Sequence, residues 1–284
     1  MTIFEAYNST KKKLEKAGIE DFVFEAKQII KHITGFSATQ ILTSYNTKLT
    51  KFQEDNLTVI IRQREIRYPL QYIFGEWDFY GRKFKVGPGV LVPRADTEIL
   101  AEHAIKYLKQ IENPKVLDLC AGSGCIGITL ALECKTADVL MLEKYKEAMS
   151  YAEKNIELNN AFNAKVISGD VFEKSASDGV YDLIVSNPPY IPKAEMEIIS
   201  PETKFEPETA LIGGDDGLDF YKAIINNYKD SLKNGGKLAF EVGINEAQKV
   251  SELMKNADFG QIEIINDLNS IERVVTGIKR TEEK

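Results

Sequence analysis

The chain has 284 residues, 43% hydrophobic and 28% charged, which is ordinary globular composition and long enough for one large domain or two smaller ones. Its net charge of -7 is unevenly placed: residues 1–75 hold 11 Lys and Arg against 8 Asp and Glu, the remainder 25 against 35. An acidic main body argues against a surface that tracks a phosphate backbone, and no apolar run of roughly 18 residues marks a membrane span. The three cysteines (Cys120, Cys125, Cys134) lie in or beside one motif, far from His32 and His103, so neither a disulfide framework nor a metal site is expected. The expectation is a cytoplasmic protein with no membrane partner and no direct sequence-specific nucleic acid binding.

The first segment reads as helices. Ile3, Phe4, Tyr7 and Leu14, then Phe22, Val23, Ala26, Ile29, Ile30 and Ile33, recur at three- and four-residue spacing. Gly18 and Gly35 serve as stops, and Ser37 and Thr50 as N-caps of the next two pieces. About four helices are expected, judged by that periodicity, forming a small bundle over residues 1–70. From Leu70 aromatic and β-branched residues alternate with polar ones between glycines, in Gln71-Tyr72-Ile73-Phe74-Gly75, Trp77 to Gly81 and Phe84 to Pro88. That is a hairpin signature, and it assigns residues 71–92 to a β-hairpin connector.

Residues 93–284 alternate helix and strand. After a helix opened by Asp96-Thr97-Glu98, strands are predicted at Lys115 to Leu119, Val139 to Leu142, Ala164 to Ser168, Tyr181 to Ser186 and Lys237 to Val242, with two more near Gln261 to Asn266 and Arg273 to Ile278. Helices through Leu132, from Lys146 to Leu158, from Leu218 to Leu232 and from Glu246 to Asn256 separate them. The fold class is α/β, a doubly wound Rossmann-like sheet with its ligand at the carboxyl ends of the strands.

Asp118 to Gly127 contains G-x-G-x-x-G directly after a strand and opening a helix. Its glycines let backbone approach a ligand, and Glu143, ending the next strand, stands where a carboxylate can accept from ribose hydroxyls. The pattern alone admits a dinucleotide or another adenosine cofactor. Asp118, just before the turn, would repel a pyrophosphate but suits the cationic end of S-adenosylmethionine. Asp170-Val171, after the third strand, offers a second carboxylate for an adenine amino group. The expected cofactor contacts are therefore Cys120, Ala121, Gly122, Ser123, Gly124, Glu143, Asp170, Val171 and Asn187, with S-adenosylhomocysteine as the product.

The fourth strand runs into Asn187-Pro188-Pro189-Tyr190. Two prolines cannot continue a ladder, so the segment is a stiff turn that offers carbonyl oxygens, one amide and an aromatic ring to a group carrying N–H. Around it stand Pro69 to Gly75, Val90 to Glu98 and Phe205 to Leu218, and the chain closes with Glu272-Arg273-Val274-Val275. With these stretches in order over essentially its whole length, the chain resembles the release factor glutamine methyltransferases of the PrmC/HemK family. It departs at Cys120, where many members have glycine, at Ala95-Asp96 for Pro-Glu, and at Glu143 for Asp.

The resemblance implies an S-adenosylmethionine-dependent protein-glutamine N5-methyltransferase, acting on the Gly-Gly-Gln glutamine of class I peptide chain release factors. It also implies that the N-terminal bundle helps dock that protein. Asn187 and Pro188 are then the catalytic acceptors, Pro189 and Tyr190 complete the substrate contact, and Tyr190 packs on the flat amide. The same tetrapeptide occurs in DNA adenine and ribosomal RNA guanine amino-group methyltransferases, which remain an alternative. So does a non-catalytic adenosine-cofactor binding protein.

Overall fold

The computed structural model describes residues 1–173 and 179–281. Residues 1–75 with 200–205 form one unit, and 76–199 with 206–284 the other; residues 174–178 and 282–284 of the expected 93–284 domain lie outside the described part.

The first unit holds α1 (Ile3–Lys16), α2 (Phe22–Thr34), α3 (Ala38–Thr43), α4 (Lys51–Glu65) and α5 (Leu70–Phe74). Three of these open on a capping box, in which Thr2, Ser37 and Thr50 each accept an N–H three residues on, while Glu5, Gln40 and Gln53 return the bond. Ser37 and Thr50 thus cap as the sequence suggested, and Gly35 ends α2 in the left-handed conformation. Ile3, Leu14, Ile29, Ile30, Leu57 and Ile60 build the core. Inside it, the fully buried Arg64 guanidinium donates to Glu25 at 2.7 and 2.8 Å and to Glu202 at 3.0 Å. Removing one partner of such a buried pair costs about 3–5 kcal/mol.

One expectation fails at the end of this unit. Leu70 to Phe74 is a turn of helix, not a strand, because Pro69 caps it and Gly75, at φ +71°, ends it in a conformation a strand cannot use. Only Glu76–Phe79 (β1) and Arg82–Lys85 (β2) pair as a hairpin, around Tyr80-Gly81 with both φ positive.

The second unit continues through α6 (Thr97–Leu108), β3 (Lys115–Leu119), α7 (Cys125–Glu133), β4 (Asp138–Glu143), α8 (Lys146–Asn159), β5 (Ala164–Ser168) and β6 (Tyr181–Ser186). It ends with α9 (Asp219–Tyr228), β7 (Leu232–Glu241), α10 (Ala247–Asn256), β8 (Phe259–Asn266) and β9 (Glu272–Lys279). The sheet order is β5-β4-β3-β6-β7-β9-β8, with β9 antiparallel to both of its neighbours. Strand β7 starts five residues earlier than expected, through an irregularity in its pairing with β6 that Gly235, at φ +77°, makes possible.

Side chains of a strand alternate between faces, and the two faces here carry different helices. Val116, Val139, Leu183, Val185 and Ala239 pack under α6 and α7, whereas Leu117, Leu119, Ile184, Leu238 and Phe240 pack under α9 and α10. Helix α7 is apolar nearly all round because it is buried nearly all round. Among the described residues no helix is long and apolar enough to cross a membrane.

Candidate active site

The carboxyl ends of β3, β4, β5 and β6 surround a cleft of about 930 Å³, counted to its open mouth. The polypeptide enters it from β3 through a loop bent by three positive φ angles, at Cys120 (+58°), Gly122 (+55°) and Gly124 (+77°). Gly124 caps α7, and a Cβ there would meet Ile128, Met141 and Ala152, so its open face is toward the core rather than the cleft. Cys120 to Ser123 do line the cleft.

Glu143 holds this loop. Its Oε2 accepts the Gly122 N–H at 2.8 Å and its Oε1 the N–H groups of Lys144 and Tyr145, both at 2.9 Å. Burial pushes its carboxyl up, and those three bonds pull it back in part. A carboxylate has about four acceptor positions, so a ribose diol would share Glu143 with the loop. Beside it, Asp170 takes the Lys144 ammonium at 2.7 Å and the Phe172 N–H at 3.0 Å. Partial burial raises its carboxyl, but these two partners more than offset that and hold it below the usual range. Val171, Phe172 and Phe220 complete this end as an apolar slot, the two rings edge to face at 4.9 Å.

Asp118 is not part of the cleft. By strand alternation its side chain lies on the α7 face, fully buried, where Oδ2 accepts the Gly127 N–H at 2.8 Å. Burial pushes this carboxyl up to about 7. The expectation that its charge faces a sulfonium therefore gives way to a structural role, that of tying β3 to the close approach of α7.

Across the β6 end, Asn187 and Pro189 line the cleft. The Asn187 Nδ2 donates to Thr97 Oγ1 at 3.2 Å, which leaves Oδ1 as the accepting edge of the amide. Pro188 is buried, and neither it nor Tyr190 is among the cleft-lining residues. The Tyr190 ring lies instead near Gly243, whose Cβ, if present, would stand 2.9 Å from it; packing of that ring on a substrate amide is not what this structure shows. The turn is pinned by backbone: Ile191 N–H donates to Leu211 O at 2.8 Å and Gly213 N–H to Ile191 O at 2.9 Å.

The sequence stretches quoted for resemblance alone acquire places. Val92 N–H donates to Glu206 Oε2 at 2.9 Å and Arg94 bridges the other oxygen, so the two stretches form one wall, with Pro207, Thr209 and Ala210 on it. Phe172 and Thr97 line the cleft although neither is among the expected site residues. Phe172 had a signal, an aromatic residue two places after a strand-end acid, whereas nothing local to Thr97 marks it.

Cys120 is a non-glycine residue in the left-handed region, at a cost of about 1–2 kcal/mol. Cys120→Gly removes that strain, offset in part by the greater flexibility of the unfolded glycine, and a net gain of about 0.5–1 kcal/mol is expected. A urea or thermal melt reads it; a lowered midpoint would show that the thiol's own contacts outweigh the strain.

A sheet of this order, a glycine loop held by a strand-end carboxylate, an apolar slot beside a second carboxylate and an amide acceptor at the next strand end together define an S-adenosylmethionine-dependent methyltransferase. The donor set fits an adenosyl group: acceptors at ribose and amino positions and an apolar slot for the ring.

Residues 94–200 match the family described as methyltransferase small domain and residues 5–75 the PrmC N-terminal domain. A release factor glutamine methyltransferase of Fusobacterium nucleatum is 37% identical over 277 residues, covering 97% of this chain and 78% of the relative. One of Thermodesulfovibrio yellowstonii is 38% identical over 254 residues, covering 88% and 90%. A methyltransferase structure from Pyrococcus furiosus, 18% identical, covers 82% of this chain and 100% of its own at a TM-score of 0.53, and shows the fold. The chain belongs to the release factor glutamine methyltransferase family.

Proposed function

We propose that the chain methylates the side-chain amide nitrogen (N5) of the glutamine in the Gly-Gly-Gln motif of class I peptide chain release factors, in the cytoplasm. The observation that carries this is the commitment of Asn187 Nδ2 to Thr97, which turns Oδ1 into an acceptor in the cleft that Glu143 and Asp170 also line. Relatives that match over most of this chain bear the corresponding name.

An amide nitrogen is a poor nucleophile because its lone pair is delocalised into the carbonyl. The Asn187 Oδ1, which faces the cleft, accepts one N–H of the substrate amide, fixing the nitrogen and stabilising positive charge as it builds there; the buried Pro188 is not among the cleft-lining residues and holds the turn. S-Adenosylmethionine, when bound, supplies a methyl carbon made electrophilic by its sulfonium. On transfer the sulfur would keep the electron pair of the broken C–S bond and the nitrogen held by Asn187 would release its proton to water, so no strong base is needed. Glu143, Asp170 and the glycine loop hold the adenosyl part, and orientation supplies much of the remaining acceleration.

The helical bundle, residues 1–70 as expected from sequence, is assigned to docking of the release factor. Phe52 (74% exposed) and Ile66 (66% exposed), at opposite ends of α4, are its exposed apolar positions that test this. The test is methyl transfer by the full chain to purified release factor, duplex DNA and ribosomal RNA in parallel, with mass spectrometry locating the label. Transfer to the release factor glutamine alone is expected; transfer to a nucleobase amine would replace the assignment. Phe52→Ser and Ile66→Ser should raise KM for the whole release factor several-fold and leave a short Gly-Gly-Gln peptide unaffected; equal effects on both would make the bundle a structural cap.

A further inference from the structure

The acceptor turn is supported from beneath by two buried polar residues that sequence pattern alone did not single out. Leu183 and Val185 of β6, and Ala239 of β7, point into the core under α6 and α7. The two strands are parallel, with Ser186 beside Phe240. Alternation therefore places the next residues, Asn187 and Glu241, side by side at the strand ends on the face that carries α6.

Thr97, the first residue of α6, meets both of them. Its Oγ1 accepts from Asn187 Nδ2 at 3.2 Å, and its hydroxyl faces the Glu241 carboxylate, whose ionised form it favours. Thr97 is 2% exposed and Glu241 3%, and Glu241 Oε2 has no hydrogen-bond partner among the described residues.

A primary amide has nearly the same shape when flipped, but opposite polarity: one edge accepts and the other donates. Flipped, Asn187 would present N–H groups to the N–H groups of the substrate. A threonine hydroxyl has a single proton. Given to a carboxylate, it leaves only lone pairs for Asn187, and these select the Nδ2 edge.

We propose that Thr97 and Glu241 are positioning residues for methyl transfer, a two-bond relay in which the carboxylate orients the hydroxyl and the hydroxyl holds Asn187 with its oxygen toward the substrate. This rests on the assignment of Asn187 as the substrate acceptor. The relay needs Glu241 ionised. Burial pushes its carboxyl up to about 7; the Thr97 bond opposes that, Asp96 adds to it, and Arg273 and Arg94 oppose it. Tyr190, Cys125 and Tyr221 also feel its charge.

Thr97→Val keeps the shape and removes both bonds. Its kcat is expected to fall about 10–30-fold, with peptide KM and S-adenosylmethionine Kd within about two-fold of wild type and the melting temperature nearly unchanged. Thr97→Ser, which restores the hydroxyl, should recover at least about half of kcat. Glu241→Gln can donate an N–H to Thr97 and reverse the relay, so it should lose kcat to a similar extent at all pH values, whereas wild-type kcat rises as pH passes upward through about 7.

Wild-type kcat in Thr97→Val or in Glu241→Gln, with Asn187→Ala inactive, overturns the relay and leaves the acceptor role of Asn187 standing. A fully active Asn187→Ala overturns the acceptor role itself. A loss in Thr97→Val that Thr97→Ser does not recover, or that comes with a lowered melting temperature and weakened cofactor binding, marks a merely structural residue and also overturns the relay.

Discussion

Asn187→Ala is expected to keep S-adenosylmethionine affinity within a factor of about two while the rate of methyl transfer in a single turnover falls about 10²–10³-fold, by analogy with the loss of one oxyanion-hole donor, worth roughly 2.7–4 kcal/mol. The argument is one of differential binding. The substrate amide donates a hydrogen bond to Asn187 already in the ground state, but the nitrogen is more positive in the transition state, so an acceptor oxygen gains most there. Alanine removes that oxygen and cannot be replaced by an ordered water without losing the fixed geometry. The loss should therefore fall on kcat more than on KM. A variant with full single-turnover activity would remove Asn187 from the chemistry, and one with lost cofactor binding would make it a cofactor ligand instead.

Much of this site is legible in the sequence because several of its parts are local. A glycine loop after a strand, an acid ending the next strand and a Pro-Pro turn each have a physical meaning within ten residues, and Cys120 to Ser123, Glu143, Asp170 and Asn187 all line one cleft. What was misjudged depends on which face of a strand a residue occupies. Asp118, near a strand's end, reads as a neighbour of the ligand, but its even position relative to Val116 sends it under α7. Glu241 has no local signal, for the complementary reason: its position matters only through the register of β7 beside β6. Thr97 belongs to a helix 90 residues upstream of Asn187, a separation that no local pattern bridges. The short helix Leu70 to Phe74 reads as a strand because five residues satisfy a period of two as readily as one of 3.6, and the flanking Pro69 and Gly75 decide between them.

The same dependence on distant backbone makes Gly213 a position where a single added methyl should do large damage. Its φ lies outside the left-handed range, so an alanine there is not excluded by backbone preference. The obstacle is space: a Cβ would stand 2.7 Å from both Gly217 O and Tyr190 Cα and 2.8 Å from Pro189 O. These are backbone atoms, which cannot swing aside as a side chain can, and they include the acceptor turn. Gly213 N–H also donates to Ile191 O at 2.9 Å, and Asp219 N–H to Gly213 O at 3.0 Å, so the contact is fixed from both sides. Gly213→Ala must push Pro189 and Tyr190 away, and a displacement on the order of 1 Å at a reacting group costs about 10²-fold in rate. Overpacking adds about 1–3 kcal/mol of destabilisation. Gly235→Ala is the matched control: at φ +77° it carries backbone strain, but nothing lies within 4 Å of the added methyl. Both variants should melt lower than wild type, and only Gly213→Ala should lose kcat while keeping S-adenosylmethionine affinity. Equal kcat in the two would mean that the turn tolerates displacement, and that its prolines alone, without the 211–214 segment packed behind them, are enough to hold Asn187 in place.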